Sequence, residues 1–261
     1  MNDWVRRPVS TGLLEPGDAH ERFVGYLLRL SRPVASSIAP GFIAGLIAGG
    51  VGSRIAMRVM AVTSSASVQG IKTDFEATVG EITPDGTLFL LLAGCVIGIL
   101  GGLIFLAVRR WLPGEGWLRG LLFGGLLLAV FGRLIIDPEN RDFVFLDPAA
   151  LAIGMFGGIF MGYGLLFMIL HEWIGPRIIA ARTGSWAPSA LTIVLLIPLL
   201  LTGILAIFLV ASVLVGFAIN HTQTFMNLWS SRSVEIAGYV VLISFSTFGL
   251  VQLAGAIVEM L

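Results

Sequence analysis

Six apolar stretches, near 34–60, 86–108, 118–136, 148–171, 189–218 and 234–258, confine their charges to their ends and reach or exceed the span of a bilayer. About 20 apolar residues cross a hydrocarbon core, and a backbone there must satisfy its own hydrogen bonds. The expected fold class is therefore all-α, a polytopic integral membrane protein with six transmembrane helices. Composition agrees, with 56% hydrophobic residues and 12% charged ones, against about 25% charged in soluble chains. The longest polar segment, the first 33 residues, lacks an early apolar run and is not expected to be a removable signal peptide.

Charge distribution sets the expected orientation. Arg6, Arg7, Arg22, Arg29 and Arg32 precede the first stretch, Arg109, Arg110 and Arg119 lie between the second and third, and Arg177 and Arg182 between the fourth and fifth. The positive-inside rule makes these segments cytoplasmic, so an even number of spans places both termini inside, in a multi-pass plasma-membrane protein. The opposite loops carry Asp74, Glu76, Glu81 and Asp85, then Asp137, Glu139, Asp142 and Asp147. Trp111, Trp117, Trp173, Trp186 and Trp229 fall at stretch ends, as an interfacial belt requires. Overall charge balances at 16 basic and 16 acidic residues, so nothing points to nucleic acid.

Four units are expected: residues 1–33 as a cytoplasmic segment, 34–113 and 114–175 as two glycine-rich hairpins, and 187–261 as a final helix pair. Within the first, Asp18 to Leu30 sets Phe23, Leu27 and Leu30 on one face, which reads as a short amphipathic helix on the membrane surface. The two hairpins resemble each other. Thr83-Pro84 and Asp147-Pro148 both read as a cap followed by proline at the first helical position. At the same offset of 64, Gly94 and Gly98 match Gly158 and Gly162. A parallel duplication of one hairpin is one reading; chance similarity between glycine-rich runs is the other.

The chain holds 33 glycines, crowded into the first four stretches. Gly41, Gly45 and Gly49, then Gly94 and Gly98, then Gly154, Gly158 and Gly162 recur every four residues, a spacing that lets helices approach closely. Against that background three arginines stand out. Arg54 and Arg58 share a face at the outer end of the first stretch, and Arg133 ends the third. Only 13 residues separate Arg119 from Arg133, about 20 Å of helix and short for a core of about 30 Å, so one of the two must bend toward an interface or lie below it. The arginines are expected either to pair with loop acids, Asp74, Glu76 and Asp137 foremost, or to converge on an anionic ligand.

Other chemistry is sparse. Asp137, Glu139 and Asp142 lack the order and glycine of a calcium loop. His20, His171 and His221 fall in separate segments, which excludes a single-helix bis-histidine haem site and a His-Glu-x-x-His zinc motif. Cys95 is alone and reads as a packing residue. Among the uncharged polar groups in the stretches, Gln252 is expected to face the bundle interior. No catalytic residue, metal or cofactor is expected, and the chain is read as no enzyme. Two functions remain: a small transporter or channel biased to anions, or a non-catalytic scaffold subunit. The expected partners are the lipid bilayer and, for the scaffold, another membrane protein or a second copy.

Overall fold

The computed structural model describes residues 33–63, 83–136, 148–179, 190, 194 and 231–260. The amphipathic segment, Asp74, Glu76, Asp137 and the body of the expected fifth span lie outside these residues. Among the described residues every regular element is helical, and five helices are long and apolar enough to cross a membrane. They are α1 (Pro33–Thr63), α2 (Pro84–Val108), α3 (Gly116–Ile135), α4 (Ala149–Ile179) and α5 (Arg232–Met260).

Local signals explain their bounds. Thr83 caps α2: its hydroxyl accepts from the Gly86 N–H at 3.3 Å, and Pro84 follows at the first helical position. The turn between α2 and α3 uses Gly114 and Gly116 at φ 87° and 55°, a left-handed backbone that favours glycine. Glu172 of α4 accepts the Gly116 N–H at 3.1 Å, supplying a carboxylate at the start of α3, where the helix dipole favours negative charge.

The helices α1 to α4 form an antiparallel bundle. One end, here proximal, holds Pro33, the α2–α3 turn and Ile179; the distal end holds Thr63, Thr83, Ile136 and Pro148. All four helices meet around Phe105, Phe123, Tyr163 and Phe167, all buried, with Ala44 of α1 against them. Their rings lock together with centroids 4.8 Å apart for Phe105–Phe167, 5.2 Å for Phe105–Phe123 and 5.3 Å for Phe123–Phe167. The Tyr163 hydroxyl donates to the Gly98 carbonyl at 2.8 Å, so its polar end is satisfied inside the bundle.

The helix α5 lies outside this bundle against α3. Gly238 sits under Trp111 near the proximal end, Gly249 meets the Ala129 carbonyl, and Leu253 packs on Gly132 and beside Ile136. Both helices advance in the same direction through these contacts, so α5 is parallel to α3. The sequence reading brings the last span back to the side of the N-terminus; in the structure Pro33 and Met260 lie at opposite ends. Charge patterning carries no signal for this, because Arg232 and Glu235 sit together at the start of the helix.

Candidate functional site

Helix α1 departs from the α-helical ladder twice, and a polar side chain is placed at each departure. The first departure is Pro40, fully buried within the helix. Proline has no N–H, so the carbonyl of Ser36, four residues earlier, loses its usual donor. Nδ1 of His171 occupies that position, 2.8 Å from the Ser36 oxygen. A carbonyl only accepts, which assigns the proton to Nδ1 and leaves Nε2 as the other face of the imidazole. The ring is held by a stack on Phe167, 5.7 Å between centroids at 8°, and by an edge contact with Phe105.

Arg119 completes this proximal cluster. Its guanidinium lies over the Phe105 ring, 5.6 Å from the centroid, and donates to the Arg109 carbonyl. Arg119 thus folds back to the α2–α3 turn, which settles how so short an interval between two arginines fits across α3. Sequence reading placed His171 in no haem or zinc motif and named no partner for it. The signal available was Pro40, four residues after a serine in an apolar run, which announces a carbonyl in need of a donor.

The second departure is a π-helical stretch over Gly45–Val51. A π turn carries one extra residue and advances the facing positions by one. The positions that face α2 therefore run 41, 45, then both 49 and 50, and then 54 instead of 53: Gly41 and Gly45 lie against Gly98 and Gly94, Gly49 against Gly94, Gly50 against Leu91, and Arg54 against Thr83 and Gly86. The Arg54 Nη2 donates to the Thr83 carbonyl at 3.2 Å. Its Nε is buried with no hydrogen-bond partner among the described residues. Arg58 is exposed one turn further on, and the half-buried Arg133 lies in the last turn of α3, where a cation suits the helix dipole. All three arginines lie toward the distal end, with Arg54 against the cap of α2.

The glycines fall into two groups. A Cβ on Gly98 would stand 2.2 Å from the Gly41 carbonyl oxygen, one on Gly45 2.2 Å from that of Gly94, and one on Gly49 3.2 Å from the Gly94 Cα. Between α3 and α4 the equivalent approach is made by Gly120, Gly124 and Gly164, with a Gly164 Cβ 2.3 Å from the Gly120 oxygen. By contrast, Gly154, Gly158 and Gly162 have nothing within 4 Å of an added Cβ among the described residues. The two hairpins therefore do not use their matched glycines alike, since Gly94 and Gly98 are enclosed while Gly158 and Gly162 face outward.

Among the described residues no group of three or more His, Cys, Asp or Glu is placed to hold a metal ion. Cys95 is a buried free thiol. Comparison of the chain with protein families, curated proteins and solved structures finds no match.

Proposed function

We propose that the chain is a non-catalytic, membrane-embedded subunit that docks a transmembrane helix, from another membrane protein or a second copy, onto the outward face of α4. The observation that carries this reading is the strip Gly154, Gly158 and Gly162, open at every added-Cβ position. In lipid there is no hydrophobic drive between helices, and association comes from close backbone approach over small residues. The other glycine strips meet a helix of this chain within the bundle; among the described residues this one meets none. Arginines at 109, 110, 119, 177 and 232 gather at the proximal end and support a cytoplasmic orientation for it in the plasma membrane.

Cross-linking in native membranes tests the reading. Cysteines introduced singly at 154, 158 and 162 in a Cys95→Ser background are expected to form a covalent product with another chain, and Gly158→Ile to abolish the association while the protein stays folded. Absence of any product at all three positions, with full labelling by a lipid-soluble thiol reagent, would refute it.

A second reading, passage of an anion past Arg54, Arg58 and Arg133, draws support from the Arg54 Nε–H, a donor with no partner among the described residues and suited to an anion. Against it stands the space between the hairpins, occupied by Phe105, Phe123, Tyr163 and Phe167. Anion flux in vesicles that is lost in Arg54→Gln would favour this reading over the first.

A further inference from the structure

A crevice of about 490 Å³ runs between α2 and α5, backed by α3. Its walls include Val108, Trp111, Val130, Val234, Val241 and Phe245, and every lining residue is apolar apart from the indole nitrogen of Trp111 and the backbone. The size is that of a small-molecule site rather than a packing defect. From Val234 to Phe245 it follows α5 for about 16 Å at 1.5 Å per residue, close to half of a hydrocarbon core of about 30 Å. It thus spans one leaflet, beginning at the proximal end where Trp111 rests on Gly238.

The proximal mouth is cationic. Arg109 follows Val108 directly, and Arg232 precedes Val234 by two residues; both are exposed, as is the adjoining Arg110. Glu235 is the acid beside them, so the four groups sum to a net positive mouth. An apolar slot one leaflet deep under a basic rim fits a molecule with a hydrocarbon chain and an anionic head.

We infer that this crevice binds one acyl chain of an anionic phospholipid from the proximal leaflet, with its phosphate at Arg109 and Arg232. Each arginine near a membrane surface adds attraction for an anionic headgroup, while the chain gains contact by filling the slot. The site is independent of the glycine face on α4 and stands or falls separately from it.

The test uses the full chain purified in neutral detergent and titrated with phosphatidylglycerol or phosphatidylcholine of the same acyl composition, with bound lipid counted by native mass spectrometry. The wild type is expected to retain one phosphatidylglycerol per chain, about tenfold in preference to phosphatidylcholine, a ratio equal to about 1.4 kcal/mol. Arg109→Gln with Arg232→Gln is expected to erase the preference, and Val241→Trp to lower retention of both lipids about tenfold by filling the slot. Equal retention of the two lipids by the wild type would overturn the inference. So would wild-type retention by a Val241→Trp protein that elutes and melts normally, or lipid found only on a dimer. If Val241→Trp does not fold, the arginine pair still decides.

Discussion

Replacing Gly98 by alanine tests the α1–α2 seam against its own internal control. A Cβ there would stand 2.2 Å from the Gly41 oxygen and 2.6 Å from the Gly45 Cα, both backbone atoms that no rotamer change can move. An ordinary carbon-to-carbonyl contact is about 3.3 Å, so the helices must part by about 1 Å. A gap of that size forfeits a quarter to a half of the dispersion energy along the contact, and overpacking of this kind costs about 1–3 kcal/mol. Gly158→Ala supplies the control. It gains the same helix propensity, about 1 kcal/mol over glycine, with nothing among the described residues within 4 Å to meet the new methyl. The propensity gain cancels between the two variants and leaves the seam cost. At about 2 kcal/mol, Gly98→Ala should melt about 4–8 °C below Gly158→Ala, using the scaling for chains of roughly this size. The assay is the fraction of protein that remains monodisperse after heating in detergent. Variants that melt within a degree of each other would refute the close approach of α1 and α2.

Two other expectations follow from the described geometry. His171→Leu strands the Ser36 carbonyl beneath Pro40 and should cost about 1 kcal/mol, near the usual worth of a hydrogen bond inside a membrane bundle, whereas His171→Gln restores a donor and should recover part of the loss; equal melting of the two variants would show that the contact carries nothing. Because α5 runs parallel to α3, a protease-cleavable tag joined after Leu261 should be cut from the membrane face opposite to a site inserted in the Leu112–Gly116 turn, and cleavage of both from one face would overturn that placement.

The helical character and approximate bounds of the five described spans were legible wherever a single physical term dominated. Apolar length alone marks α1 to α5, and the Thr83-Pro84 pair fixes the start of α2 through a cap that needs only local chemistry. Glycine periodicity is a different case, because spacing of four says that a helix offers a flat strip and leaves its partner unspecified. Gly94 and Gly154 read alike in sequence, yet one faces the α1 backbone and the other faces outward. Which strip closes inside the chain depends on how the hairpins dock, and that is decided by Phe105, Phe123 and Phe167 filling the middle, a long-range fit that no local pattern encodes. The direction of α5 was hidden for a similar reason: its two ends differ little in charge, and its place comes from Gly238, Gly249 and Leu253 matching the surface of α3 and Trp111.

The partners of His171 and Arg54 were illegible for one shared reason, although Arg54 itself stood out, and that reason makes α1 the organising helix of the bundle. A side chain is read from sequence by assuming a regular helix, and α1 is irregular at both places that matter. Without Pro40, the Ser36 carbonyl would be satisfied within the helix and His171 would have no acceptor there. Without the extra residue of the Gly45–Val51 turn, position 53 rather than 54 would face α2, and Arg54 would turn away from the Thr83 cap by about 100°, the rotation of one residue at 3.6 per turn. Glycines permit that π turn because the α2 backbone comes so near that only a helix without side chains can widen against it. The close α1–α2 seam and the position of Arg54 are therefore one structural fact. A bulky residue at Gly45 or Gly50 would displace the arginine some distance away along the helix, without touching it.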